Sequence, residues 1–244
     1  MTERPGWPDG YGLRRFGSID STNEEAKRLA ASGESGPLWI VAREQTEGRG
    51  RRGRAWVSQT GNLFATLLTK AALPGAAQLS FVAALAAAEA LEAYAPAQDI
   101  RLKWPNDVLL NGRKTSGILL ESCGSDRVVV GIGINLASHP QNTEFPATCV
   151  VAEIGFAPEP EDLLPRLARR MAAWYEMWHR DGFAPVRAAW SSRAQGVGLS
   201  IRVRLAEREM EGLFEDIDDE GALLLKGPSG ARTRITAGDV FFPA

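Results

Sequence analysis

Between Gly48 and Arg54 the chain reads Gly-Arg-Gly-Arg-Arg-Gly-Arg, seven residues with no apolar side chain and no periodicity. Neither a helix nor a strand runs through such a segment, so it must connect two elements. The elements on either side are runs of strand length, Leu38 to Gln45 with β-branched content and Asn62 to Thr69. Glycine lets a backbone approach a ligand closely, and arginine offers planar forked donors that match phosphate or carboxylate oxygens. Trp56 follows, a ring able to stack on a purine or on its own loop. The spacing is not that of a P-loop, since no Gly-Lys-Ser/Thr comes after it. Three readings of this loop stand open: a triphosphate site, a nucleic-acid contact of the kind used by disordered RNA-binding segments, or a solvated surface loop.

The rest of the chain supplies a mixed set of elements. Ser21 and Glu24 have capping-box spacing at the start of a helix that Gly33 can stop. Gln78 to Ala95 is an alanine-rich helix with Leu79, Val82, Leu85 and Leu91 toward one side. Arg101 to Trp104 reads as a strand stopped at Pro105. Asn111-Gly112, between Val108–Leu110 and Gly117–Leu120, is a strong two-residue hairpin signal. Val128 to Asn135 is a strand whose Gly131 and Gly133 face one side and leave room against the backbone. Glu161 to Trp178 is a helix with a core stripe of Leu164, Leu167, Met171, Trp174 and Trp178. After Gln195 only short strands remain: Ile201–Leu205, Glu211–Phe214, Ala222–Leu225 and Val240–Phe242, with a turn at Asp219-Glu220-Gly221. The expected division is therefore 1–195 and 196–244, with a small barrel or sandwich in the second part.

Composition narrows the class. A 44% hydrophobic share over 244 residues suffices for a large core, and a net charge of −2 gives no global attraction to nucleic acid or anionic membrane. Met1 to Gly12 has no apolar stretch and reads as no signal peptide. The most apolar run, Leu79 to Ala88, is about half a membrane span long and stops at Glu89. Cys123 and Cys149 are too few for a disulfide framework or a zinc cage and read as reduced, space-filling residues, so the expected location is the cytoplasm. His139 and His179 have no metal-ligand partners in sequence.

Two more clusters carry chemistry. Lys103-Trp104-Pro105-Asn106-Asp107 is followed by Lys114-Thr115-Ser116-Gly117, and the hairpin between them brings Lys114 back toward Asp107. An exposed hairpin decorated with charges is the plain alternative. The third piece is Gly131-Ile132-Gly133-Ile134-Asn135.

With Ser21-Thr22-Asn23 and Gln45 through Trp56, these motifs resemble those of the bacterial biotin–protein ligases, in that family's order and roughly its spacing, from about residue 16 to the C-terminus. The resemblance implies an α+β fold, a mixed sheet with flanking helices like the class II aminoacyl-tRNA synthetase core. Gly221–Leu225 and Gly238-Asp239-Val240 resemble its small C-terminal SH3-like β-barrel. It implies activation of biotin by ATP, with Mg²⁺ alongside the phosphates, to biotinyl-5′-AMP, then transfer to a lysine of a biotin carboxyl carrier protein domain. Lys114, Arg51 and Asp107 are then the catalytic candidates. Biotin would be held by Ser21, Thr22, Asn23, Gln45, Arg49, Gly50, Arg51, Lys114 and Gly117. The adenylate would be held by Arg51, Arg54, Trp56, Asn106, Lys114 and Asn135, with no resident metal site. About fifteen residues precede the first family-like segment, too few for the helix-turn-helix of some members, so no DNA partner is expected. Family members often dimerise through the sheet, which makes a homodimer an expectation. Lipoate–protein ligases share the fold and chemistry, but their Arg-Arg-x-Ser-Gly-Gly-Gly loop is absent here.

Overall fold

The computed structural model describes residues 6–71 and 75–243, so the Met1–Gly12 segment read for a signal peptide lies partly outside the described residues. In chain order it forms β1 (Gly12–Ile19), α1 (Thr22–Ala31), β2 (Leu38–Gln45), β3 (Leu63–Lys70), α2 (Leu79–Glu92), β4 (Ile100–Lys103), β5 (Asp107–Leu110), β6 (Arg113–Ser122) and β7 (Arg127–Ile134). Helices α3 (Val150–Ile154), α4 (Pro160–Asp181) and α5 (Phe183–Arg193) follow. The chain closes with β8 (Ser200–Arg204), β9 (Glu209–Ile217), β10 (Leu223–Lys226), β11 (Arg232–Ile235) and β12 (Asp239–Phe241).

Seven strands make one sheet in the order β1-β2-β3-β7-β6-β5-β4. β1 and β2 run parallel, and the other five pairs are antiparallel, so the sheet is mixed as expected. Side chains alternate between the two faces of a strand, and the sequence uses that alternation to make two different surfaces. On the back face Trp39, Val41, Leu63, Ala65, Leu67, Val128, Val130, Ile132 and Ile134 join one core with α2, α4 and α5. On the front face Leu38, Ile40, Leu68 and Val129 pack with Ala26 and Ala30 of α1. Beyond α1 that front face is floored by Phe64, Gly117, Gly131 and Gly133, and there the cavity opens.

The helix read with one apolar side, α2, is buried almost all round, with only Glu89 and Glu92 less than fully covered. It lies between the sheet and the α4–α5 pair, and its alanines let both neighbours come close. The stripe on α4 is core as expected: Leu164, Leu167 and Met171 are buried, while Trp174 and Trp178 pack beside them and donate to Glu89 and Gln78. Ser21 caps α1 through its hydroxyl, which accepts from the Asn23 amide at 3.2 Å. The capping box does not form, because the Glu24 carboxylate pairs with Lys27 and Arg49 instead of reaching back.

The β5–β6 hairpin turns through Asn111 (φ 51°) and Gly112 (φ 75°). Both residues sit in the left-handed region that a two-residue turn of the hairpin type requires. A bulge follows, since Leu109 pairs with Lys114 but Val108 pairs with Ser116, leaving Thr115 unopposed. That extra residue lets Lys114 and Gly117, three apart, share the front face with Asp107.

The C-terminal strands form a five-stranded antiparallel sheet, β11-β10-β9-β8-β12. Its ladder stays open between β11 and β12 among the described residues, so strand pairing does not close the expected barrel. This sheet packs against the catalytic one. Ile201, Val203, Phe214 and Ile217 belong to the same core as α2, and Trp104 Nε1 donates to Gly221 O at 2.9 Å across the junction.

Candidate active site

A cavity of about 330 Å³ sits on the front face beneath the Gly48–Trp56 loop, and every site residue expected from the sequence lines it. At one end, Gln45 Oε1 accepts from the Thr22 amide (2.8 Å) and hydroxyl (3.0 Å), while its amide nitrogen donates to Ser58 (2.9 Å). Thr66 donates to Asn23 Oδ1 at 2.6 Å, and Asn23 Nδ2 donates to Glu121 at 2.8 Å. Asn23 lies flat on Gly131; a Cβ there would run into its carboxamide, which explains why that strand position carries no side chain. Ser21 lines the cavity too, but its hydroxyl is engaged as the helix cap.

Glu121 ties this end together, and it was not among the residues expected. Lys27 Nζ approaches it at 2.6 Å, and Arg49 of the loop at 3.4 Å. Burial pushes the Glu121 carboxyl up, but hydrogen bonds from Lys27 and Asn23 and the charges of Lys27 and Arg49 outweigh this and hold it below its usual range. A carboxyl depressed in the folded state stabilises the fold above its unfolded value, and loses that contribution as pH falls through the folded one. Glu121→Gln should lower the melting temperature by about 2–4 °C near neutrality. The gap from wild type should stay constant down to the ordinary glutamate value, about pH 4.3, and close below it. Melting curves recorded against pH measure this, and a gap independent of pH would remove Glu121 from the network.

At the centre, Lys114 Nζ lies 2.7 Å from Asp107 Oδ1, as the hairpin reading anticipates. That oxygen is buried and has no other partner among the described residues. Trp56 covers Gly117 and Gly133; a Cβ at Gly133 would stand 2.5 Å from its ring, and Lys114 Nζ is 5.4 Å from the ring centroid. The glycines of β6 and β7 thus seat an aromatic plate on the sheet.

The loop is fastened at both ends. Gly50 N donates to Arg54 O at 2.7 Å, and Arg52 is left-handed at φ 56°. Arg49 pairs with Glu24; Arg52 and Arg54 pair with Asp239 of β12 at 3.1 and 2.7 Å. Arg54, expected on the nucleotide, is thus engaged with the C-terminal sheet. Among the described residues Arg51 makes one side-chain hydrogen bond, donating to Asn106 Oδ1 at 3.1 Å, and its burial pulls its guanidinium downward from the ordinary value. Asn106 also donates to Ile118 O (2.8 Å), and Asn135 donates to Thr148 O (3.1 Å), so both amides brace the wall they line. Among the described residues no group of three or more His, Cys, Asp or Glu side chains is placed to hold a metal ion.

The sheet, the loop over it and the attached β-sheet define a class for which family models exist. Residues 16–135 match the model of the biotin/lipoate A/B protein ligase family, and residues 198–242 match that of the biotin protein ligase C-terminal domain. The chain is 50% identical over 235 residues to the biotin–[acetyl-CoA-carboxylase] ligase of Paracoccus denitrificans, covering 91% of this chain and 97% of that protein. It is 34% identical to the bifunctional ligase/repressor BirA of Bacillus subtilis, covering 91% of this chain and 71% of the relative. The biotin protein ligase of Aquifex aeolicus, solved in complex with biotin and ATP, superposes with a TM-score of 0.82 at 29% identity, over 94% of this chain and 97% of that one. The chain belongs to the biotin protein ligases.

Proposed function

We propose that this cavity joins biotin to ATP, giving biotinyl-5′-AMP and pyrophosphate, and then passes biotin to a lysine of a biotin carboxyl carrier protein domain of a biotin-dependent carboxylase. The observation that carries the reading is the Lys114–Asp107 pair at the centre of the cavity, under a loop rich in arginine. A carboxylate is a poor acyl donor, because its leaving group would be oxide. Attack of its oxygen on the α-phosphate makes AMP the later leaving group, but brings two anions together, and positive groups set in place beforehand offset that repulsion. Lys114 and Arg51 fill this role, and Asn23, Thr22 and Gln45 present the amides and hydroxyl that suit a ureido head at the other end. Arg49 and Gly50 close the loop side of the biotin pocket. Trp56, Asn106 and Asn135 line the adenylate side.

In the second step the carrier lysine must be neutral. Asp107, whose buried Oδ1 contacts the Lys114 ammonium at 2.7 Å, would accept its proton. Mg²⁺ carried in on the triphosphate needs only one or two carboxylates, which the Asp107 side chain would supply, and it would neutralise phosphate charge. The reading divides the chain at residue 196, places the enzyme in the cytoplasm and includes a homodimer formed through the sheet.

Because Arg51 has a single side-chain hydrogen bond among the described residues, to the neutral Asn106, its charge can clamp the intermediate. Arg51→Gly should release biotinyl-AMP about 10–100-fold faster, the loss of one or two charge-assisted contacts. Filter retention of labelled intermediate measures this, and an unchanged half-life would free Arg51 of the role. The whole reading is tested by incubating the chain with ATP, biotin and a purified carrier domain. Intact mass should rise by one biotin on one lysine, and an unmodified carrier despite active adenylation would confine the enzyme to the first step.

A further inference from the structure

The cavity holds a cation that none of the roles above uses. Lys103, at the end of β4, is 7% exposed and lines the cavity wall. Its ammonium lies 3.8 Å from the Phe145 ring centroid and 5.5 Å from that of Phe242, and has no hydrogen bond or ion pair among the described residues. The neighbouring cations differ in this respect. Arg49 pairs with Glu24, Arg54 with Asp239 and Lys114 with Asp107. Among the described residues, Lys103 and Arg51 are the cavity-lining cations with no carboxylate in ion-pair contact, and a buried charge without a close partner is costly unless a ligand supplies one.

The position of Lys103 says which part of a ligand it meets. It pairs across the sheet with Asp107, and Asp107 pairs with Gly117, so these three side-chain positions share the front face on β4, β5 and β6. At about 4.8 Å per strand, Lys103 stands roughly 10 Å along the sheet from Gly117. In sheet order Gln45 is on β2, Gly131 on β7, Lys114 on β6 and Lys103 on β4. Lys103 thus lies beyond the reacting centre, on the side away from Asn23 and Gln45.

We propose that Lys103 is a catalytic residue of the first half-reaction that binds the β- and γ-phosphates of ATP and stabilises pyrophosphate as it leaves. The bond from the biotin carboxylate oxygen to the α-phosphorus forms as the bond from that phosphorus to the bridging oxygen breaks. Pyrophosphate departs with the electron pair, and the Lys103 ammonium meets the charge that gathers on its oxygens without giving up a proton. The aromatic rings on either side keep water from the ammonium and make its interaction with an anion stronger.

The ionisation of Lys103 follows from its surroundings. Burial pushes its amine down to about 8, with Lys114 adding to the fall and Asp107, Asp239 and Glu144 opposing it. A bound polyphosphate would raise it again, so wild-type kcat/KM for ATP should fall above pH 8 as the free enzyme loses this charge.

This proposal rests on the ligase reading, and the two half-reactions separate them. Biotin-dependent exchange by the wild-type protein must be present first; its absence defeats the ligase reading itself. Lys103→Met should then lower kcat/KM for ATP in adenylation by about 10–100-fold and raise the inhibition constant of added inorganic pyrophosphate by a similar factor. Single-turnover transfer from purified biotinyl-5′-AMP to a carrier domain should change less than about threefold, since pyrophosphate has left by then. Lys103→Arg, which keeps the charge and the packing, should retain adenylation within about tenfold and lose the fall above pH 8. Equal loss in both half-reactions, loss in transfer alone, or unchanged pyrophosphate inhibition in a folded Lys103→Met protein would each overturn it.

Discussion

Lys114→Met is expected to reduce biotin-dependent pyrophosphate exchange by about 10²–10³-fold, the usual cost of removing one preset donor from a shielded site. Methionine keeps most of the shape, so the loss isolates the charge. The variant also leaves Asp107 buried without the ammonium that now lies 2.7 Å away. A buried carboxylate stripped of its partner costs stability, and a lower melting temperature should accompany the kinetic defect. The double variant Lys114→Met/Asp107→Asn removes both charges. It should recover most of the lost stability while recovering none of the exchange, so melting and activity part company. Exchange within tenfold of wild type in the single variant would move the reacting centre away from Lys114.

The largest effect on stability is expected at Trp104. Its ring is buried, and its Nε1 donates to Gly221 O, where the C-terminal sheet meets the catalytic one. Trp104→Ala should cost about 3–5 kcal/mol, which for a chain of this size lowers the melting temperature by about 6–20 °C. Trp104→Phe fills most of the space but strands the Gly221 carbonyl, and should cost about 1–3 kcal/mol. Since Asp239 of that sheet fastens Arg52 and Arg54, loosening the junction should also weaken nucleotide use. Calorimetry on both variants gives the order, and equal melting of Trp104→Ala and wild type would mean that the two sheets are held by other contacts.

Much of this arrangement is legible in the chain, and the gaps have physical causes. The runs that became β2, β3 and β7 are legible as short apolar stretches, because much of both faces is covered, and α4 by its stripe, because one face lies in the core. β1 does not: its residues are mostly exposed at the sheet edge, so Arg14, Arg15 and Ser18 hide the strand. α5 shows no clear stripe, yet Trp190 on it is buried against Phe81. α2 has too many apolar residues to show which side faces the core, because both sides do. The site behaves likewise. Motifs close in sequence reveal the loop, the hairpin and the glycine strand, but Glu121 acts through Asn23, 98 residues away, and carries no local signal. Lys103 stands within a recognisable motif, but its burial and lack of a partner exist only once Phe145 and Phe242 close over it. Glycine spacing at 131 and 133 did signal close approach; the groups that approach are the chain's own Asn23 and Trp56.

The most direct test of the central claim is exchange of labelled pyrophosphate into ATP, run with biotin, with lipoate and with no acid. The account predicts exchange that depends on biotin and on Lys114, with none above background for lipoate. Exchange with lipoate alone would make the cavity a lipoate site, and no exchange with either acid by folded protein supplied with Mg²⁺ would contradict adenylation as its chemistry.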